Sequence, residues 1–215
     1  MKMMKILFLI CVIALTTSFA NSQNSFMGKI VFSVEMLDTN IQKIIDKREM
    51  IVYTNDTLSR IEVQNDALGE QVTIKHLELD KSYLMMTMVG KKLAIQTDGS
   101  EDSTLAEPYE FKYKLFGRRK VNGFVLKKAI VFREDLEEKR KIWYFKDIRP
   151  EILGMYDGIK GLPADFYLGT VDGIVHYKIE SIEKQAVSAD MFGIPSDYEK
   201  IKLNDFMDHV RRTKN

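Results

Sequence analysis

His76, His176 and His209 are the chain's only histidines, and none has a second histidine or a cysteine at metal-ligand spacing. His76 and His176 fall in segments that read as strands. His209 follows Asp205 by four residues on one face of a terminal helix, an ordinary helix-surface pair with too few ligands for a metal. A structural or surface role accounts for all three. No HExxH, GxSxG, P-loop or GxGxxG spacing occurs. Asp38, Asp80, Asp98, Asp172 and Asp190 stand at or near turns, where a carboxylate bonding a nearby backbone amide explains them. With no general base to nominate, the expectation is a protein that is not an enzyme and that carries no metal or cofactor.

The remaining chemistry is apolar. In the segment Ser82 to Val89, Tyr83, Met85 and Val89 share one face while Leu84, Met86 and Met88 share the other. Such a strand is either buried on both sides or set between a core and a ligand cavity. Methionine suits a pocket that accepts varied apolar shapes, and it also simply fills gaps. Trp143 and Phe145 point one way from their strand and Tyr144 the other. The candidate lining of an apolar cavity is therefore Leu84, Met86, Met88, Trp143 and Phe145, a reading that fails if the protein's own side chains fill both faces of Ser82 to Val89 and leave no cavity. Phe124, Leu126, Ile130 and Phe132 form a comparable row interrupted by Lys128, whose amine lies at a cavity mouth or pairs with a carboxylate.

The elements that would position these residues are short strands joined by turns. Ile30, Phe32, Val34 and Met36 alternate with polar residues within Phe26 to Leu37, the pattern of a half-buried antiparallel strand. Ile41, Ile44 and Ile45 break the alternation at helical spacing, which suggests a short helix or ordered loop over Asp38 to Lys47. Asn55-Asp56 and Asp172-Gly173 are hairpin signals. Residues 98 to 108 read as a polar loop, and 148 to 163, with Pro150, Gly154, Gly158, Gly161 and Pro163, as a loop with one helical turn. The last strand includes Gln185 to Ser188, Ser196 to Glu199 has capping-box spacing, and Asp205 to Arg212 reads as a helix capped by Asn204 with Phe206 and Val210 inward. Ten or so strands of this kind make a mainly β fold, a single antiparallel sheet with minor α.

Lys2 and Lys5, the apolar run Ile6 to Leu15 and the small, polar stretch Thr16 to Ser22 have the layout of a secretory signal peptide over residues 1–22, cleaved to leave an N-terminus near Asn21 or Gln23. The apolar run is shorter than the roughly 20 residues a membrane span needs. Of 215 residues, 193 remain as one domain, 23–215. Cys11, the only cysteine, lies inside the signal, so the mature chain has no disulfide, thiolate metal site or cysteine nucleophile, and no lipidated cysteine is expected. Without Lys2 and Lys5 the 32 basic residues become 30 against 31 acidic ones, a balance that points to no nucleic acid partner. The basic patch Lys112, Lys114, Arg118, Arg119 and Lys120 reads as a solvated face, or as a surface for an anionic headgroup or partner.

Gly123-Phe124, Lys127-Lys128-Ala129, Trp143-Tyr144, Gly161-Leu162-Pro163, Phe192-Gly193-Ile194-Pro195 and Asp197-Tyr198 follow one another in an order and spacing, over residues 121 to 201, that resembles the GLPGLI family of bacterial envelope proteins and its close relatives, known best from Bacteroidetes-type bacteria. The sequence departs from the family's name motif after Pro163, where Ala164-Asp165-Phe166 replace Gly-Leu-Ile. The resemblance implies a fold similar to the LolA, LolB and LppX group: a strongly curved antiparallel half-barrel around short helices or loops, with an apolar concavity that in that group carries lipid or lipoprotein acyl chains. No catalytic residue carries over.

The expectation is thus a periplasmic or cell-surface protein, with no transmembrane span once the signal is cleaved, that binds a lipid or lipoprotein acyl chain in a curved sheet. The alternative is an envelope scaffold with a filled interior and a protein partner.

Overall fold

The computed structural model describes residues 26–213 apart from 39–42, 66–68, 80, 89, 98–109, 134–137, 157 and 171–172. Residues 1–22, read from the sequence as a signal, and the polar loop read at 98 to 108 lie outside the described residues. Twelve strands form one curved, unclosed sheet: β1 (Met27–Asp38), β2 (Lys43–Asn55), β3 (Leu58–Asn65), β4 (Gly69–His76), β5 (Lys81–Met88), β6 (Lys91–Gln96), β7 (Glu110–Val121), β8 (Phe124–Arg133), β9 (Glu138–Phe145), β10 (Leu162–Thr170), β11 (Gly173–Lys184) and β12 (Glu199–Lys202). The one α-helix among the described residues, α1, spans Leu203–Thr213. The mainly β, single-sheet expectation holds.

The strand order is β12-β6-β5-β4-β3-β2-β1-β11-β10-β9-β8-β7. Neighbouring strands are antiparallel except β12, which runs parallel to β6. Register shows which side chains share a face, because directly paired residues point the same way. Ile182, Ile30, Val52, Ile61, Thr73 and Leu84 form one row across six strands. We call the face they share the inner face.

Two segments pack on that face. Residues 148–159 contribute Ile148, Ile152, Leu153, Tyr156 and Ile159, which pack with Phe32, Phe166 and Ile182 into the main core. At the other end, Leu203 and Phe206 of α1 pack on Met86, Leu93 and Ile95. The opposite, outer face of β3 to β6 is crossed by the chain between β11 and β12: Phe192 is buried against Val72, Ile74, Met85 and Ala94, and Arg60 donates to the Met191 carbonyl at 2.9 Å.

Several local expectations change. Lys43 to Lys47 belongs to β2, because pairing to β1 overrides the helical spacing of its isoleucines. Gln185 to Ser188 is not a strand, and Ser196 to Glu199 leads into β12 instead of a helix. The final helix begins at Leu203, so Asn204 lies within its first turn. The single helical turn read in 148 to 163 is the 3-10 turn Pro150–Ile152. The Asn55-Asp56 hairpin is present, with Asp56 in the left-handed region (φ 82°).

Candidate functional site

The inner face is left partly open between its two covering segments. Residues 148–161 are fastened over the main core by their own polar groups: Leu162 N donates to the Ile148 carbonyl at 2.9 Å, Tyr156 Oη to the Tyr167 carbonyl at 2.5 Å, and Tyr113 Oη to the Gly158 carbonyl at 3.3 Å. Gly154, with φ 63°, ends the 3-10 turn and donates to the Pro150 carbonyl at 3.0 Å. Beside this turn the segment stops covering the sheet. A cleft of about 360 Å³ remains there, roofed by Leu153 and Met155 and floored by inner-face residues of β1, β2, β3, β4 and β11. Its size lies within the range of small-molecule sites, roughly 300–1,000 Å³.

The floor is built by alternation. Val34 and Met36 come from β1, Met50 from β2, Ile61 and Val63 from β3, and Val175 and Tyr177 from β11. A bulge opposite Val31/Phe32 keeps β11 in phase: Ile182 pairs with Ile30 and Ile179 with Phe32, so both stay inward although they are three residues apart. Tyr177 stacks on Phe166 at 4.9 Å, and burial pushes its hydroxyl pKa up while the nearby Arg48 charge opposes that shift. The polar lining is Asp46, Arg48 and Thr73. Asp46 and Arg48 form an ion pair on β2 with about a quarter of each side chain exposed, 25% and 27%.

None of the five residues read from the sequence lines this cleft. Leu84, Met86 and Met88 do lie on the inner face, but α1 seals them, Met86 being buried and the other two partly so. Tyr83 and Met85 on the other side of β5 are packed beneath Phe192. Both faces of β5 thus pack against other parts of the chain, and the cleft described above lies instead over β1 to β4 and β11. Phe145 is 1% exposed, paired with Leu126 and Leu162 and edge-on to Phe124 at 6.0 Å. Trp143 is half-buried beneath the Arg119 guanidinium (5.5 Å) and the Lys128 amine (5.8 Å). Lys128 thus interrupts its apolar row to lie over an indole ring.

Asp46, Arg48, Met50 and Tyr177 escaped the sequence reading. The signal for the first two is their phase: Asp46, Arg48, Met50 and Val52 alternate along β2 as one set once the segment is read as a strand.

The histidines have local partners. His76 Nδ1 accepts from the backbone N–H groups of Glu78 (3.3 Å) and Leu79 (3.2 Å), which closes the turn after β4. His176 stacks on Tyr167 at 4.2 Å and meets Asp165 through Nε2 at 2.9 Å. Burial pushes the Asp165 carboxyl up, but hydrogen bonds from His176 and Arg119 outweigh it and hold the group below the usual range. Nearby, a hydrogen bond from Lys47 holds Glu35 low. The side chain of His209 lies outside the described residues. Among the described residues no group of three metal-ligating side chains gathers, and no helix is long and apolar enough to cross a membrane.

No family model matches the chain, and no curated protein does, so the GLPGLI resemblance rests on its motif residues. Solved structures do match. PNGF-II is similar at 14% identity with a TM-score of 0.53 over 87% of this chain, which spans only 34% of that protein's chain. LprF from Mycobacterium bovis aligns over 83% of this chain and 92% of its own at 8% identity, with a TM-score of 0.31. The first similarity shows a shared sheet architecture, within a chain more than twice as long.

Proposed function

We propose that this is an exported carrier without catalytic activity, which holds a lipid or lipoprotein acyl chain in the inner-face cleft. The observation that carries the reading is the lining: apart from Asp46, Arg48 and Thr73, the cleft presents aliphatic, methionine and tyrosine side chains under a single loop. Each buried methylene contributes about 0.8 kcal/mol, so a single acyl chain gains useful affinity without a polar motif. Methionines on the floor and roof, Met36, Met50 and Met155, adapt to chains of differing shape.

The test is native mass spectrometry of protein taken from its own envelope, followed by organic extraction. A stoichiometric lipid is expected, together with an N-terminus near Asn21 or Gln23. A clean apo mass with no uptake of added dodecanoate or lipopeptide would overturn the reading. Ile61→Trp, which fills the cleft from β3, is expected to weaken uptake at least about tenfold, equivalent to roughly 1.4 kcal/mol.

A further inference from the structure

The burial pattern of β2 inverts near the mouth of the cleft. Ile44 and Ile45 are 45% and 54% exposed, whereas Asp46 and Arg48 are turned toward the apolar interior. Register fixes where they point: Arg48 pairs with Val34, which pairs on its other side with Tyr177, and Asp46 pairs with Met36, which pairs with Val175. The two charges therefore continue the same inner-face stripe that Met50 and Val52 build deeper in the sheet.

The fold does not need charge at these positions. Apolar residues would extend the stripe, and replacing a partly buried ion pair with apolar side chains is commonly neutral or stabilising. With the cleft empty the pair compensates itself. It also presents a ligand with one cation and one anion from alternate residues of one strand, whose Cα atoms are about 7 Å apart and whose charged groups touch each other in the empty cleft.

We propose that the cleft selects amphiphiles with a zwitterionic head, the ligand's phosphate engaging Arg48 and its ammonium engaging Asp46 while the acyl chain lies over Val34, Met50 and Val63. The proposal rests on the carrier reading and narrows it to a headgroup class. A purely anionic head would gain Arg48 but sit against the Asp46 carboxylate, and a purely cationic head would meet the reverse. A zwitterion matches both charges, and its charge-assisted contacts form in a partly dry site.

The experiment is calorimetric titration of the mature protein with four C12 amphiphiles below their micellar concentrations: dodecylphosphocholine, dodecyl phosphate, dodecyltrimethylammonium and dodecanol. Dodecylphosphocholine is expected to bind about tenfold more tightly than the other three. Asp46→Asn is expected to move the preference to dodecyl phosphate, and Arg48→Gln to dodecyltrimethylammonium, changes that a purely structural ion pair would not produce. Equal affinities for all four heads in the wild-type protein would overturn the zwitterion assignment and leave the carrier reading standing, whether or not the variants fold. Binding of none of the four would overturn both.

Discussion

The two ends of the inner face are made of the same material and end differently. Around β5 and β6 the apolar stripe of Met86, Leu93 and Ile95 is sealed by Leu203 and Phe206 of α1. Around β1 to β3 and β11 the stripe of Val34, Met50, Ile61 and Val175 is roofed only by a loop, and a cleft remains. Strand composition does not separate the two regions. What separates them is whether a later segment presents a continuous apolar face, as α1 does, or a turn interrupted by Gly154. A cavity in a sheet of this kind is a property of the cover.

The largest expected effect comes from removing the seal. A chain ending at Lys202 loses α1 and exposes the inner face of β5 and β6. Leu203 and Phe206 are partly buried, and their loss together with the helix that carries them should lower stability in a denaturant titration, while the uncovered stripe should bind an apolar dye. Unchanged stability and no new dye binding would break the contrast. Met86→Ala should cost about 2–5 kcal/mol but leave ligand uptake unaltered, because that methionine belongs to the sealed end. Lost uptake in a variant that remains folded would move the site back to β5.

Gly161→Ala probes the support of the roof. A Cβ at this position would stand 2.2 Å from the Phe145 carbonyl oxygen, so β9 or the loop must shift, at about 1–3 kcal/mol. The loss of uptake should exceed what global unfolding explains, since the shifted loop carries Leu153 and Met155. The smallest effect is expected on the outer face. Asp165 is held below its ordinary pKa, so it contributes stability above the unfolded-state range near 4 and loses it as pH falls through the lower folded-state value. Asp165→Asn should be less stable than the parent at pH 6, with the difference vanishing in strong acid. Thermal unfolding across pH 2 to 7 measures it, and a difference that persists in acid would show that packing, not charge, is what the substitution removed.

Much of the sheet is legible in the sequence because its signals are local. Ile30, Phe32, Val34 and Met36 alternate, the hairpin signal Asp172-Gly173 falls where β10 and β11 pair, and Phe206 and Val210 lie at helical spacing. β12 was not legible: Glu-Lys-Ile-Lys has one apolar residue, and it becomes a strand because β6 offers an unpaired edge. Nor was the cleft. The apolar character of both faces of β5 was readable, but which face stays open depends on contacts between residues more than a hundred positions apart. Asp46 and Arg48 were hidden by Ile41, Ile44 and Ile45, whose spacing imitates a helix. Gly161 and Pro163 are legible as breakers that end the loop, and the Phe145 carbonyl supplies the physical reason for the glycine.

The pairing of β12 with β6 sets an order on the birth of the molecule. β6 is finished at Gln96, yet its free edge waits for Glu199–Lys202, and the stripe beside it waits for α1. During synthesis, nearly half the chain must emerge while an incomplete sheet presents open backbone and bare methionines, the condition that favours aggregation. A chaperone that shields this edge until Glu199–Lys202 and α1 arrive would be needed most by this end of the molecule, and a chain stalled at Lys202 would be a hazard out of proportion to what it lacks.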